Sequence, residues 1–298
     1  MKKIALILSA LKPGGAERVM TELARIFSTQ EGIKTYLLLM TKGDKFYTLP
    51  PNVEIIEPDF KFLPQKRLVS TIKSFFYVRK SLKEIKPDSA LSFSGRFNAF
   101  VILCAWRLGI KIFISDRSRP GISYGRFLDI FNPIIYKKAS GIIAQTTEAQ
   151  MICRKATHHK NIEVISNPIR TLDLKPLEKE KIILNVGRFI KSKKQEWLID
   201  YFDQISNEDW SLVFLGDGPE LRRVKKYAKE KAIARNIHFL GTSKNVDFYY
   251  SIASIFAFTS VSEGFPNALG EAMAAGLACI SFDCSSGHSE IFQRSKKK

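Results

Sequence analysis

The chain has 298 residues, 47 lysines and arginines against 29 acidic residues, a formal charge of +18, and 45% hydrophobic content. That is enough apolar material for a core, and it excludes disordered, collagen-like and coiled-coil classes. The length suggests two domains, and the charge an anionic partner, whether nucleic acid, an acidic membrane surface or a phosphorylated substrate.

Short apolar runs alternate with amphipathic stretches, the pattern of βα units around parallel sheets. Strands are predicted at Ile4 to Leu8, Lys34 to Met40, Val53 to Ile56, Ser89 to Phe93, Lys111 to Ser115, Gly141 to Ala144 and Glu163 to Ile165. After Asn167-Pro168 the charged stretch Arg170 to Lys181 resembles a linker. A second series follows, with strands at Ile182 to Val186, Ser211 to Leu215, Ile237 to Leu240, Ile255 to Phe258 and Ala278 to Phe282. The expected fold is α/β, with two doubly wound Rossmann-like domains at 1–168 and 169–298. Ligands in such folds sit beyond the carboxyl ends of the strands. The start, Met1 to Leu11, imitates a signal peptide but reads better as a buried first strand. The longest apolar run, Ala99 to Trp106, is too short to span a bilayer. Cys104, Cys153, Cys279 and Cys284 lie in apolar stretches without CxxC spacing, which suits buried thiols in a reducing compartment.

Gly14 and Gly15 follow the first strand and precede a helical pattern through Val19, Met20, Leu23, Ile26 and Phe27. A glycine pair at such a turn lets an anion approach helix N-terminal amides, although the pair can equally serve only to tighten the turn. Neither GxGxxG nor a Walker motif is present. After the first strand of the second series come Gly187-Arg188 and then Lys193, two cations placed to neutralise two phosphates. Lys191 and Lys194 read as solvated charges.

The stretch Ser262 to Glu271 carries the most information. Gly264 and Pro266 impose a turn, Asn267 is a good N-cap, and Ala268 to Ala275 contains strong helix formers. Glu263 therefore falls in the loop and Glu271 one turn into the helix. Two carboxylates here can simply complement the helix dipole. They also suit a nucleotide sugar, with the Ala268 and Leu269 amides and the Arg188 loop taking diphosphate while the carboxylates take hydroxyls.

The segment Ser260 to Glu271, with seven residues between Glu263 and Glu271, resembles the EX7E signature of retaining glycosyltransferases of family 4, which have the GT-B fold. GGAERV at Gly14 to Val19, VGRF at Val186 to Phe189 with Lys193, LGDGPEL at Leu215 to Leu221, HFLG at His238 to Gly241, AMAAG at Ala272 to Gly276 and SGHSEI at Ser286 to Ile291 resemble the same family in the same order. The resemblance implies that Arg188 and Lys193 hold the donor diphosphate, Glu271 the ribose and Glu263 the transferred sugar, with Gly15 placing amides near the phosphates in a cleft between two facing domains. It implies retaining transfer of a hexose or N-acetylhexosamine from a nucleotide sugar, UDP-linked by expectation, to a lipid-linked or surface-polysaccharide acceptor. Neither metal nor cofactor is implied, since the fixed cations do that work and the nucleotide sugar is a substrate.

The first-domain histidine of many relatives is absent; Ser94, Arg96 and Asn98 follow the strand where it would be sought. Ser115-Asp116-Arg117-Ser118 resembles a SERN-like segment of bacterial members that build surface glycans, making Asp116 and Arg117 acceptor-side candidates, with a salt-bridged loop as the plainer reading. His158 and His159 read as solvent-facing. The end of the chain resembles a shortened second domain, so a catalytically inactive sugar-nucleotide-binding fragment is an alternative. Lys61 to Lys86 holds eight basic residues and one acidic residue, interleaved with Leu68, Val69, Ile72, Phe75, Phe76, Leu82 and Ile85. A sheet-covering helix and a helix lying on anionic lipid both explain it. The expected location is the cytoplasm, and on the latter reading the inner face of the cell membrane as a peripheral protein. Nucleic-acid binding is the weaker alternative, because the cations are spread and no recognition motif is present.

Overall fold

The computed structural model describes residues 1–205 and 209–283. SGHSEI, His288, Cys284 and the terminal lysines lie outside the described residues. The chain divides into two compact units, Met1–Pro168 and Ile169–Lys298.

The first unit contains β1 (Lys2–Leu8), α1 (Gly15–Ser28), β2 (Ile33–Leu39), β3 (Val53–Ile56), α2 (Arg67–Ile85), β4 (Ser89–Phe93), α3 (Asn98–Cys104), β5 (Lys111–Ser115), α4 (Arg126–Tyr136), β6 (Gly141–Ala144), α5 (Thr147–Thr157) and β7 (Ile162–Val164). Its sheet is parallel, in the order β3-β2-β1-β4-β5-β6-β7. Alternate residues of β1 serve opposite faces: Leu6 and Leu8 pack with Val19, Met20 and Ala24 of α1, while Ala5 and Ile7 join Val78 and Leu82 of α2, Val101 of α3 and Ile135 of α4. Burial on both faces explains why the strands read as near-continuous apolar runs. Each of the leucine, isoleucine, valine and methionine side chains among them contributes about 1.5–3 kcal/mol of transfer free energy.

The second unit contains β8 (Glu180–Val186), α6 (Gln195–Ile205), β9 (Ser211–Leu215), α7 (Leu221–Lys229), β10 (Ile237–Phe239), α8 (Val246–Ile252), β11 (Ala253–Phe258), α9 (Asn267–Ala274) and β12 (Ala278–Ser281). Its parallel order is β10-β9-β8-β11-β12. Helices α6 and α7 cover one face through Leu198, Ile199, Phe202, Val224 and Ala228, and α8 and α9 the other through Tyr250, Ile252, Leu269 and Ala272. The chain winds outward from β8 in one direction and resumes at β11 on its other side, so the loops after these two strands part at a topological switch point.

Several expectations need correction. Asn267 is the first residue of α9, and the capping position belongs to Pro266, which makes no side-chain cap bond. The Asn267 amide donates to Phe265 O at 3.0 Å, so Pro266, with φ of −83°, sets the boundary one residue early. The apolar residues of α2 do not form one face: Leu82 and Ile85 are buried, whereas Leu68, Val69, Ile72 and Phe76 are exposed. Cys104 is buried and its thiol is pushed up to about 12 by desolvation, but Cys153 and Cys279 are only half-buried. His158 is exposed at the left-handed C-cap of α5; His159 instead bridges backbone groups, accepting from Asn161 N at 3.1 Å and meeting Ala139 O at 3.1 Å.

Candidate active site

The loop after β8 is fixed from beneath by main chain. Gly187 N donates to Leu215 O at 2.9 Å, Phe189 N to Asp217 O at 2.9 Å, and Glu220 N to Phe189 O at 3.1 Å. Gly216 and Gly218 adopt φ of 141° and 158°, and a Cβ on either would overlap the carbonyl oxygen of Gly187 or Phe189. The LGDGPEL segment is thus a backbone support for the cation loop. Phe189 is driven into the core beside Phe214, while Arg188 between the two anchored residues stays exposed. Gln195, buried at the start of α6, donates to Arg188 O at 3.2 Å. Lys194, which adopts the left-handed conformation, lies 5.0 Å from the Trp197 ring centroid and so is more than a solvated charge.

The loop after β11 closes against this one. Thr259 Oγ1 donates to Lys193 O at 2.8 Å and Val261 N to Ser192 O at 2.9 Å. Lys193 Nζ ion-pairs with Glu263 Oε1, to which the Ser260 hydroxyl also donates, and it lies 4.9 Å from the Phe258 ring centroid. Four residues after Glu263, α9 begins, and the amides of Ala268 and Leu269 have no acceptor among the described residues. They carry the positive end of the helix dipole.

Glu271, one turn further, is 2% exposed. The Tyr250 hydroxyl donates to its Oε2 at 3.3 Å, and Arg170 Nε stands 3.6 Å from its Oε1. Arg170 simultaneously grips Asp247 through both terminal nitrogens, one at 2.8 Å. Burial opposes the charge on Arg170, but the hydrogen bonds to Asp247 and the field of Glu271 hold its pKa above the ordinary value. Arg170, Asp247 and Tyr250 escaped the sequence reading: Arg170 lies in the stretch assigned to a linker, and only the fold brings it to partners 77 and 101 residues away.

The remaining candidates belong to the first unit. The Gly14 amide donates to Tyr47 Oη at 3.2 Å, Tyr47 returns a bond to Gly14 O at 3.0 Å, and the Glu17 carboxylate folds over Gly14. The Gly14 amide is thus taken up by Tyr47, and Gly15, exposed, opens α1. Asp116 and Arg117 do not bridge one another. Asp116 accepts from the Tyr124 hydroxyl at 2.7 Å and from Ser118 N at 3.0 Å, whereas Arg117 binds Asn167 Oδ1 and stacks 3.9 Å over Phe93. The Arg117 Nε is buried without a hydrogen-bond partner among the described residues, and desolvation lowers the guanidinium pKa. Asp116, Tyr124, Asn132 and Tyr136 line a cavity of about 390 Å³ shared with apolar side chains of α4 and α5. Ser94 takes φ of 121° after β4, and Asn98 is buried, donating to Ser115 O at 3.0 Å.

Comparison with known proteins bears on this arrangement. Residues 172–298 match the family model described as glycosyl transferases group 1. They form a group 1 glycosyltransferase domain. An uncharacterized glycosyltransferase of Haemophilus influenzae is 27% identical over 303 residues, covering 98% of this chain and 84% of that protein. An N-acetylgalactosamine-N,N'-diacetylbacillosaminyl-diphospho-undecaprenol 4-alpha-N-acetylgalactosaminyltransferase of Campylobacter jejuni is 29% identical over 317 residues, covering 98% and 84%. Among solved structures, Anabaena HepE in complex with UDP-glucose superposes with a TM-score of 0.75 at 16% identity, over 97% of this chain and 82% of that one. The fold is that of the GT-B glycosyltransferases, and the chain carrying the group 1 domain is an enzyme of the glycosyltransferase class.

Proposed function

We propose that the chain is a retaining, metal-independent glycosyltransferase of family 4 that moves a hexose or N-acetylhexosamine from a UDP-sugar to a lipid-linked or surface-polysaccharide acceptor. The observation that carries this reading is the pairing of Lys193 with Glu263 at the foot of α9, whose Ala268 and Leu269 amides lack acceptors among the described residues, with Glu271 one turn beyond. A diphosphate arriving there meets the Arg188 guanidinium, the Lys193 ammonium and the two amides. As Lys193 turns toward phosphate, the Glu263 carboxylate keeps the Ser260 hydroxyl and gains capacity for sugar hydroxyls. Glu271, held by Tyr250 and Arg170, accepts from the ribose.

In the transfer step the bond from the anomeric carbon to the β-phosphate oxygen breaks as the acceptor oxygen bonds to that carbon on the same face, and the acceptor proton passes to the departing phosphate. Negative charge grows on that phosphate, so cations and amides fixed in advance stabilise the transition state more than the ground state. They supply the charge that a divalent ion would otherwise bring.

The Campylobacter relative is named for an acceptor built on diphospho-undecaprenol, and HepE was captured with UDP-glucose, which supports a bacterial surface-glycan acceptor and a UDP donor. On this reading the chain works at the cytoplasmic face of the membrane. The test is a panel of UDP- and GDP-sugars assayed with and without EDTA, alongside calorimetric titration of UDP. Turnover that survives EDTA and falls with Arg188→Ala and Glu271→Gln supports the assignment. Unchanged affinity and rate in both variants overturns it, and UDP binding without turnover on any acceptor favours the inactive sugar-nucleotide-binding alternative.

A further inference from the structure

The first half of α2 is inverted relative to an ordinary sheet-covering helix. Ser70 and Ser74 face inward, each 5% exposed, whereas Leu68 is 74% and Phe76 65% exposed, with Val69 and Ile72 also in solvent. The inward serines are satisfied: Ser74 donates to Met40 O at 3.4 Å, and Ser70 Oγ accepts from Leu63 N at 3.2 Å. Leu68, Ile72 and Phe76 recur every four residues, with Val69 beside them, so the outward apolar groups form a stripe along one side of the helix.

Charge frames that stripe on one sign only. Lys61, Lys66, Arg67, Lys73, Lys80 and Lys83 are exposed, and the one acidic residue between Lys61 and Lys86, Glu84, is paired with Lys80. Helix α4 repeats the pattern: Phe127 is 72% exposed, Ile130 and Ile134 are exposed, and Arg126, Lys137 and Lys138 flank them. Its acidic residue, Asp129, is taken up by the Ser123 hydroxyl and the Tyr124 amide. Both helices pack on the same face of the sheet through one core, with α3 between them, so their outward faces share one flank of this unit.

We propose that this flank of α2 and α4 docks on an anionic phospholipid surface, with Leu68, Ile72, Phe76, Phe127 and Ile130 entering the headgroup boundary. Charge decides the occupant. A stripe bordered by cations complements anionic headgroups above acyl chains, whereas a second copy of the same flank would set cations against cations. Among the described residues no helix is long and apolar enough to cross a membrane, so the contact is with the interface. The docking is independent of the donor site.

Flotation of the full chain with vesicles of phosphatidylglycerol and phosphatidylethanolamine, against phosphatidylcholine alone, tests it without donor present. Flotation is expected with the anionic vesicles only, weakening as salt is raised. Ile72→Ser with Phe76→Ser, at exposed positions, is expected to lower partitioning about tenfold or more, and Lys73→Glu with Lys80→Glu by a similar factor. UDP titration of each variant shows that the chain is folded and keeps the two assignments separable. The proposal falls if the native chain does not float with anionic vesicles at low salt, or if Ile72→Ser with Phe76→Ser floats like the native chain. It also falls if sedimentation velocity reveals a dimer that this variant dissociates, which would assign the flank to a second copy.

Discussion

Lys193 and Glu263, 70 residues apart in sequence, form an ion pair within the second unit, and both side chains are largely withdrawn from solvent. Each group is neutralised by the other, and on the proposed function that pairing lasts until a donor phosphate competes for the ammonium. Glu263→Gln removes the competitor. Calorimetry should then show UDP binding roughly tenfold tighter while turnover falls by two orders of magnitude or so. Lys193→Met should weaken UDP by about tenfold or more; equal UDP affinity in the two variants would contradict this exchange.

Arg188 is solvent-exposed between two residues pinned by main-chain bonds. Arg188→Ala should therefore leave the unfolding free energy within about 0.5 kcal/mol of the native value while turnover drops about a hundredfold. Thermal melts and initial rates on the same preparation check both halves. A lowered melting temperature without kinetic loss would make Arg188 structural.

Arg170 holds two carboxylates, Asp247 and Glu271, in a largely buried cluster. Arg170→Met removes the cation that both carboxylates share, and urea unfolding should register a loss of about 3–5 kcal/mol. Adding Asp247→Asn should restore a substantial part of it, because one of the two buried negative charges that lost the guanidinium is removed. Additive losses in the double variant would show that the cluster does not act as a unit.

Asp200 gives the second unit an acid-sensitive contact. Burial disfavours its charge, but Lys231 Nζ at 2.6 Å and the Tyr227 hydroxyl at 2.6 Å outweigh this and hold its pKa below the ordinary value. A carboxylate depressed on folding stabilises the native state above its unfolded pKa and loses that contribution as pH falls through the folded value. The loss thus sets in below about pH 4. Asp200→Asn should flatten this limb of the melting-temperature profile; an unchanged limb would assign the acid sensitivity elsewhere.

Sequence reading reached the residue level where one physical effect dominated. β4, β5, β6 and β9 run from Ser89, Lys111, Gly141 and Ser211 as their apolar runs indicate, because a central parallel strand is apolar on both faces. The loop position of Glu263 and the helical position of Glu271 followed from Gly264, Pro266 and the alanine-rich run. Where two effects competed, the reading missed: Asn267 has capping chemistry, but the proline before it sets the boundary. In α2, apolar spacing could not decide which positions face the sheet, and Ser70, Ser74 and Ser81 proved to be inward alongside Val78, Leu82 and Ile85. Arg170 and Tyr250 were illegible because their contacts with Glu271 arise from packing between distant segments.

Gly216 and Gly218 set the arginine-bearing loop directly on a neighbouring stretch of peptide, with no side chain interposed. The gap is fixed at the thickness of two polypeptide backbones and cannot be tuned by exchanging one residue for a slightly larger one. Exchange of side chains can therefore change what the Arg188 loop presents, while the spacing of its backbone from the strand beneath stays the same.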